Sequence, residues 1–289
     1  MTGNSSIGQN GIAKLTGLTK LYADWNRRIS NVNHLSNLKI LSLTGNDSIG
    51  QNGIAKLTGL TELYADSNVN ITDANHLTNL VVLSVPLNSG IGQNGITKLT
   101  QLIKLNAPNN PKITDANHLT NLRTLNVEGY SGIEQNGITT LTQLIGLNAS
   151  NNPKITDANH LTNLRTLMVE GQMSGIGQNG ITTLTQLIGL NASDNPKITD
   201  ANHLTNLRTL NVEGDSGIGL DGITKLTLLK ELHVSNNVKI TDLNHLANLV
   251  VLSAGGTSGV EPKGIKNLTQ LKRLYVGGNP LMTSVNNIQ

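Results

Sequence analysis

Aliphatic residues recur along the chain in short ladders with polar residues in the gaps. One ladder runs through Leu35, Leu38, Leu41 and Leu43 and closes on Asn46. Its last two leucines flank a polar residue, an alternation typical of a strand buried on one side only. A single strand of this kind cannot bury its apolar side alone, so many such strands are expected to stack.

The ladders belong to a longer tandem repeat. The motif I-G-Q-N-G-I, with its variants, begins at positions spaced 42, 42, 42, 43, 42 and 42 residues apart, and the extra residue lies near Gln172 and Met173. Each unit holds two ladders, 20 and 22 residues apart, which gives about thirteen ladders in seven units, the last incomplete. We expect one α/β repeat solenoid over residues 1–289, with a curved parallel sheet on its concave face and a C-terminal tail at 280–289.

Polar residues predict how the chain turns between strands. An Asn ends every first-type ladder and can satisfy backbone groups where the strand ends, whereas second-type ladders keep it only at Asn46 and Asn88 and then rely on a following Ser-Gly pair. Thr114 or Asp115 could cap a short helical turn in I-T-D-A-N-H-L. The Asn-Gly of the other return is a turn signal. Both returns are short, so the convex side should hold single helical or 3-10 turns.

These motifs carry a family resemblance over essentially the whole chain. The ladders resemble those of leucine-rich repeat proteins, whose period is roughly 20–29 residues, and I-T-D-A-N-H-L-T-N-L-R-T-L is similar to the short repeats of bacterial internalins. The alternation of 20 and 22 departs from the single internalin period, and internalin cap domains and anchoring motifs have no counterpart, so host invasion is not implied. The Asn-rich repeats are also similar to repeats in proteins of large amoeba-infecting DNA viruses.

Composition narrows the function classes. Hydrophobic residues make up 37% of the chain, charged residues 13%, and Phe is absent, which suits thin aliphatic layers. The net charge of +3 is spread out and argues against nucleic acid. With no cysteine there is no disulfide or thiolate site. No signal peptide or membrane-spanning run is seen, so we expect no membrane partner and a location in the cytoplasm or a virion.

Histidine recurs at one position of the repeat, in six copies from His34 to His245. Pairing Asp115 with His118 would supply at most two metal ligands per unit, and equivalent positions two strands apart lie ~10 Å away. The alternative is a convex-side His that hydrogen-bonds the backbone of the next coil, and we favour it. No nucleophile–base grouping and no phosphate loop is seen. The sequence therefore predicts no metal, no cofactor and no enzyme.

The outward strand positions are the candidate contact surface. Tyr22, Trp25 and Tyr64 fall near the first repeats on the predicted concave side, with Asp66 beside them. Tyr and Trp are enriched in binding hot spots, so this is the first candidate; the alternative is that Trp25 covers the end of the stack. Three arginines also recur in register in the middle of the chain, at Arg123, Arg165 and Arg208. Each has a glutamate five residues on, which favours a balanced polar face over phosphate binding.

Two functions of different classes follow. The first is a non-enzymatic protein–protein interaction module that binds a partner through its concave face. The second is a structural or assembly protein, such as a particle or scaffold component, that forms homo-oligomers through its terminal repeats. Repeat arrays need polar end caps, and neither terminal ladder has a helix long enough to cover an apolar layer. Near-identical units favour the second function somewhat, because specific recognition usually needs variation between repeats.

Overall fold

The computed structural model describes residues 7–282, so residues 283–289 of the predicted tail lie outside the described part. The chain divides into two compact units, Met1–Leu144 and Ile145–Gln289. Each unit is a stack of short parallel strands joined by tight returns, and the predicted leucine-rich repeat fold is confirmed. The single domain over 1–289 stays a prediction.

Every strand is three residues long and follows the chain order. In the first unit the strands β1 to β6 are Lys20–Tyr22, Ile40–Ser42, Glu62–Tyr64, Val82–Ser84, Lys104–Asn106 and Thr124–Asn126. In the second unit the strands β7 to β13 are Gly146–Asn148, Thr166–Met168, Gly189–Asn191, Thr209–Asn211, Glu231–His233, Val251–Ser253 and Arg273–Tyr275. Neighbouring strands within a unit pair in parallel with their central leucines in register, as Leu21 with Leu41 and Leu210 with Leu232.

The ladder residues form the core. Leu38, Leu41 and Leu43 are 1%, 0% and 0% exposed, and their counterparts in the inner coils are as deeply buried. Full burial of one leucine side chain contributes about 1.5–3 kcal/mol, so stacking the layers supplies the stability that one coil lacks. Most residues that stand between the leucines along a strand are polar and partly exposed, as Asn106 and Asn126 are.

The helices are single turns. Two are α-helical, α1 at Gln9–Ile12 and α2 at Gln51–Ile54, and the others are 3-10 turns at Gln93–Gly95, Gln135–Ile138, Gln178–Gly180, Leu220–Ile223, Pro262–Gly264 and Pro280–Met282. The prediction of short helical pieces is confirmed. Within residues 7–282, no helix has the length and apolar character needed to cross a bilayer.

The position of these turns corrects one expectation. The helical turns lie on Q-N-G-I, not on I-T-D-A-N-H-L. The Gln51 side chain bridges to the next coil, accepting from the backbone N–H of Thr72 and Asp73 and donating to the Asp73 carbonyl. The glycine of the motif is needed for close approach: a Cβ on Gly53 would lie 2.5 Å from the Ser30 carbonyl oxygen. Motif glycine and glutamine therefore hold adjacent coils together.

The I-T-D-A-N-H-L return is a non-helical turn. Asp115 accepts a hydrogen bond from the N–H of Asn117 at 3.0 Å, which is a capping contact, but no helix follows it. Asn117 in turn donates to the Asn136 carbonyl in the following coil. Asp115 therefore makes the hydrogen bond expected of an N-cap, but no helix begins there.

Buried asparagines close the ladders as predicted. The Asn68 amide donates to the carbonyls of Asn46 and Ile49, and its oxygen accepts from the N–H groups of Asn70 and Ile71. A buried amide with all these bonds satisfied has no desolvation penalty left uncompensated. Equivalent asparagines, such as Asn195 in the second unit, bind the preceding coil in the same way.

Asn88 does not take this role, and that prediction is wrong. Its backbone is left-handed, with φ of 65°, and its side chain is exposed. Ser89 lies buried in its place, and its hydroxyl accepts a hydrogen bond from the N–H of Ile91. Serine of the Ser-Gly pair does the same at Ser131, which confirms its predicted role as a substitute.

Candidate partner-binding face

The first and third residues of each strand point away from the leucine core and form a surface that we call the strand face. Strand register arranges the third residues in a column, which in the first three coils runs Tyr22, Ser42, Tyr64. Neither Tyr22 nor Tyr64 is part of the core. The strand face is therefore where the repeat is free to vary its chemistry.

Two tyrosines stand on alternate strands of the first unit. Tyr22 is 65% exposed, whereas Tyr64 is half-buried and its hydroxyl donates to a Glu62 carboxylate oxygen at 2.9 Å. Burial raises the pKa of Tyr64, and the carboxylate of Glu62 and the nearby Tyr22 and Asp66 raise it further. Ser42 lies between the two tyrosines in the column and is only 7% exposed.

Trp25 holds an unusual backbone conformation at the exit of the first strand. Its φ of 59° is left-handed, and its ring packs so closely on Gly45 that a Cβ there would lie 2.4 Å from Trp25 Cε3. Such a φ is uncommon for a bulky residue. The alternative from the sequence was that Trp25 covers the end of the stack. In the structure its ring lies against the following coil, at Gly45. More than half of the side chain, 53%, stays exposed.

Later first-type repeats place a small polar residue where the first has Trp25, except the last, which has Gly278. The left-handed residues there are Ser67, Asn109, Asn151, Asp194 and Asn236. Asn109 shows the usual role: its oxygen lies over Gly129 and accepts the N–H of Tyr130. Tryptophan cannot make that bond, so the fold does not require an aromatic residue at this position.

Two carboxylates lie beside the tyrosines at the exit of their strands. Asp24 accepts from the Ser42 hydroxyl and from the N–H of Thr44. Asp66 accepts from the Ser84 hydroxyl at 2.7 Å. Burial raises the pKa of Asp66, the Ser84 hydroxyl lowers it, and the charge of Asp24 raises it again. Both precede the left-handed residue of their repeat and fall at outward positions by sequence, but only Asp66 was a candidate contact residue.

The three arginines extend along the strand face to the following coil. Arg165 donates to the backbone carbonyl of Gln186 at 3.1 Å and to its side-chain oxygen at 2.8 Å. Arg208 donates to the Leu228 carbonyl at 3.3 Å, and Arg123 approaches the Gln143 carbonyl at 3.5 Å. Arg123 belongs to the first unit and the other two to the second. Because these guanidiniums hold backbone groups, they are only partly available to a ligand.

A shallow apolar depression in the second unit was not foreseen. Gly189 has no side chain at an outward strand position, and Met168 and Ile188 border the resulting space, whose volume is about 400 Å³. Met168 is 47% exposed and Ile188 43% exposed. The signal in the sequence was Gly189 itself, because most outward strand positions carry a side chain.

The repeated histidines contact the backbone of a neighbouring coil. Nε2 of His34, His118 and His203 lies 3.0, 3.1 and 3.0 Å from a backbone carbonyl 22 residues earlier. The predicted backbone hydrogen bond is therefore present, but it reaches the preceding coil and not the next. Asp115 is engaged by Asn117, so His118 and Asp115 serve separate contacts. Within residues 7–282, no three His, Asp or Glu side chains gather as metal ligands.

Comparison with known proteins gives structural relatives. No protein-family model and no curated protein sequence matches the chain. The functional domain of InlJ from Listeria monocytogenes, which includes a cysteine ladder, is 26% identical with a TM-score of 0.61; the match covers 94% of this chain and 60% of that one. This chain thus spans 60% of that domain, and it has no cysteine with which to form such a ladder.

Two further structures agree. An internalin, InlF, from Listeria monocytogenes is 25% identical with a TM-score of 0.54, and the match covers 95% of this chain and 84% of that one. A leucine-rich repeat protein from Leptospira interrogans is 22% identical with a TM-score of 0.58, covering 96% and 89%. These structures are bacterial and lend no support to the viral resemblance. The ladders, the parallel strands and these likenesses together identify the chain as a leucine-rich repeat protein with internalin-like repeats.

Proposed function

We propose that the chain is a non-enzymatic protein-interaction module that binds a protein partner through the strand face, the surface that the repeat pattern predicts to be concave. Its anchor is the aromatic patch, which we define as Tyr22, Trp25 and Tyr64. One observation carries this proposal: Trp25 is 53% exposed at a position where the other first-type repeats have a small polar residue or glycine, and Tyr22 on the same coil is 65% exposed. Aromatic residues that the fold does not need are candidates for contact with a partner.

The rest of the strand face is better suited to the rim of an interface than to its central anchor. Arg123, Arg165 and Arg208 already donate to backbone carbonyls, so they can add polar contacts at low entropic cost. The depression beside Gly189 can accept one apolar side chain of the partner. Partner contacts at the rim typically contribute little on their own.

The test replaces two of the aromatic residues with asparagine, which other repeats of the chain have at the same positions. Trp25→Asn with Tyr64→Asn removes most of the patch and restores the residues found at 109 and 106 of the same chain. A partner is captured by cross-linking in extracts of the source cells, purified, and titrated against both proteins by biolayer interferometry. We expect binding to weaken at least about 10-fold, or about 1.4 kcal/mol, with an unchanged melting temperature.

Met168→Asn is the matched control, since it removes an exposed apolar side chain from the strand face of the other unit. It also tests the rim and should weaken binding by less than about 3-fold. Equal affinity of wild type and the Trp25/Tyr64 double variant for the purified partner would remove the patch as the anchor.

A second candidate, assembly through the terminal repeats, is favoured by one observation. Leu18 and Leu21 in the first coil, and Leu271 and Leu274 in the last, are partly exposed, whereas their counterparts in inner coils are buried. Light scattering over a range of concentrations separates the two candidates. A mass of 30.7 kDa throughout leaves the strand face as the working surface, whereas a mass that grows with concentration supports assembly.

A further inference from the structure

We propose that the protein partner presents an acidic segment to the second unit, with one apolar side chain between two carboxylates. The apolar side chain enters the depression beside Gly189, and the carboxylates pair with Arg165 and Arg208. This inference rests on the proposed function, because it names the chemistry of the partner at the strand face.

The depression is an open space with apolar walls. Its volume is about 400 Å³, and pockets that hold ligands measure about 300–1,000 Å³. A Cβ on Gly189 would meet only Thr166 Cγ2, at 3.6 Å, so the strand is open above this glycine. Met168 and Ile188 border the space, and both are nearly half exposed. An apolar side chain placed there would remove apolar surface of both from water.

A column of three cations and one isoleucine runs along the N-terminal ends of the strands that line the depression. Each member directly precedes a strand, and each donates its backbone N–H to the carbonyl of the member before it, at 2.8, 2.7 and 2.9 Å. The column is Arg165, Ile188, Arg208 and Lys230. An exposed apolar side chain therefore stands between two arginines at this edge of the sheet.

The two guanidiniums are held at this edge. Nη1 of Arg165 donates to the backbone and side-chain oxygens of Gln186, and Nη1 of Arg208 donates to the Leu228 carbonyl. Both acceptors lie three residues before a strand that lines the depression. Each guanidinium thus lies one coil ahead of its own strand, and the two stay about two strands, or ~10 Å, apart.

These guanidiniums keep donors for a ligand. Among residues 7–282, neither Arg165 nor Arg208 forms an ion pair, and neither uses Nε or Nη2 in a hydrogen bond. An arginine side chain has five N–H donors in a fixed fork. The carbonyl contacts therefore fix the position of each cation and leave part of its fork available to a carboxylate.

The carboxylates of these strands lie elsewhere or are engaged. Glu170 and Glu213 follow the C-terminal ends of their strands by two residues, and Glu170 accepts from the Asn191 amide at 3.1 Å. Glu231 follows Lys230, and its carboxylate lies 3.0 Å from His233 Nε2. Positive charge at the edge formed by the column is therefore not neutralised there.

This combination favours an acidic protein segment over other ligands. Carboxylates match the arginine fork, on which they can form two parallel hydrogen bonds. A nucleic acid or a polyphosphate would also pair with the arginines, but it would leave the apolar walls in water and would face Glu170 and Glu213. A neutral apolar segment would fill the depression and gain nothing from the arginines.

The spacing of the arginines sets the form of the segment. Alternate residues of an extended segment point the same way. A Glu-x-Leu-x-Glu sequence therefore places a leucine between two glutamates on one side, with their backbones ~13 Å apart. Glutamate side chains are flexible enough to close on two guanidiniums that lie ~10 Å apart.

The experiment uses methionine methyl groups of the full chain as reporters. The chain has four methionines, at positions 1, 168, 173 and 282. The protein is labelled with methyl-¹³C methionine and titrated at low salt with acetyl-Glu-Gly-Leu-Gly-Glu-amide in NMR spectra. The Met168 signal is identified by its absence from Met168→Leu. We expect it to shift saturably, while the signal of the buried Met282 stays fixed.

Matched peptides separate the two parts of the recognition. Glutamine in place of both glutamates removes the charges and should weaken binding about 5-fold, because two partly exposed ion pairs are lost. Glycine in place of leucine removes the apolar side chain and should weaken binding at least about 10-fold. Tripolyphosphate should leave the Met168 signal in place. A shift of this signal by tripolyphosphate at concentrations as low as those of the peptide would contradict the assignment to a protein segment.

Variants locate the binding on the chain. Gly189→Thr installs the residue that pairs with Gly189 on both neighbouring strands, so the variant should fold, and its side chain should fill the depression and weaken the peptide at least about 10-fold. Arg165→Gln with Arg208→Gln should weaken it about 5-fold. Arg123→Gln is the control at the same repeat position of the first unit, with less than about 2-fold change.

The result also separates this inference from the proposed function. No saturable shift of Met168 up to about 10 mM peptide, or equal binding of the glutamate and glutamine peptides, would overturn the inference. In that case, loss of the native partner by the Trp25/Tyr64 double variant would still uphold the proposed function. Conversely, an unchanged native complex in that double variant would remove the aromatic anchor without affecting the peptide result.

Discussion

The two units share one coil design and differ in what their strands display. In both, the central leucine of an inner strand is fully buried, as Leu41 and Leu210 are. The first unit displays tyrosines and aspartates on its first three coils. The second displays glycine or asparagine on three of its strands and a tyrosine only on its last, at Tyr275, and its Met168 borders an apolar depression beside Gly189. The interior is thus held constant while the strand face changes.

This contrast separates the residues that make the fold from those available for function. Buried ladder residues and motif glycines contact the neighbouring coil's backbone, so a change there disturbs two coils at once. Outward strand residues contact mainly solvent or each other. A partner that recognises the chain must therefore distinguish the units by their strand faces, whereas equivalent changes in the two interiors should have equal effects.

The largest expected effect comes from the buried asparagines. Asn68→Ala in the first unit and Asn195→Ala in the second each leave two buried carbonyls without their donors. Each should lower the free energy of unfolding by about 2–4 kcal/mol, measured by urea denaturation. Asn88→Gly is the control: its side chain is exposed and its φ of 65° suits glycine, so it should change stability by less than about 0.5 kcal/mol. A cost found in one unit only would show that the two interiors are not equivalent.

Next in size is a pair of glycine substitutions within the second unit. A Cβ on Gly222 would lie 2.5 Å from the Thr199 carbonyl oxygen, so Gly222→Ala should destabilise by about 1–3 kcal/mol. A Cβ on Gly189 would meet only Thr166 Cγ2, at 3.6 Å, so Gly189→Ala should stabilise by about 0.4–1 kcal/mol. Melting temperatures of the two variants give the signs. Destabilisation by Gly189→Ala would mean that the strand face of this unit is constrained after all.

The smallest effect is a pH dependence confined to the first unit. The pKa of Asp66 lies above its ordinary value of 3.8, so the folded state binds a proton more readily than the unfolded chain. As pH falls from the raised pKa towards 3.8, wild type should gain stability relative to Asp66→Asn, and the difference should be flat at neutral pH. Urea denaturation of both proteins at several pH values measures it. A loss of wild-type stability relative to Asp66→Asn on acidification would mean that the folded state favours the charged carboxylate.

The sequence predicts the part of the structure that periodicity controls. Leucine spacing places all the strands, and the recurring Asn places the buried amides, because both are repeated and chemically unambiguous. The sequence prediction fails where the turn is shifted by one residue. Asn88 matches the motif, but Ser89 is the buried residue. It also misplaces the helical turns, since Asn-Gly signals a turn without showing that Gly53 is required by the Ser30 carbonyl of the preceding coil.

The candidate site is only partly readable in advance. Tyr22, Trp25 and Tyr64 can be assigned to outward positions by counting along the ladder. The left-handed backbone of Trp25 and its contact with Gly45 depend on how adjacent coils approach each other, which no local pattern encodes. Asp24 becomes relevant only when register places it two strands from Asp66. Whether a partner contacts these residues depends on the partner as well as on this chain.

Each side-chain hydrogen bond between coils reaches only an adjacent coil, and this affects how such a chain can change in length. Gln51 binds the coil after its own, His118 the coil before, and strands within a unit pair only with their neighbours. Loss or duplication of a 42-residue segment would therefore recreate the same contacts at the new junction. Recombination between near-identical gene segments could thus lengthen or shorten the protein in whole steps, with the tyrosines and aspartates of the first coils carried along unaltered.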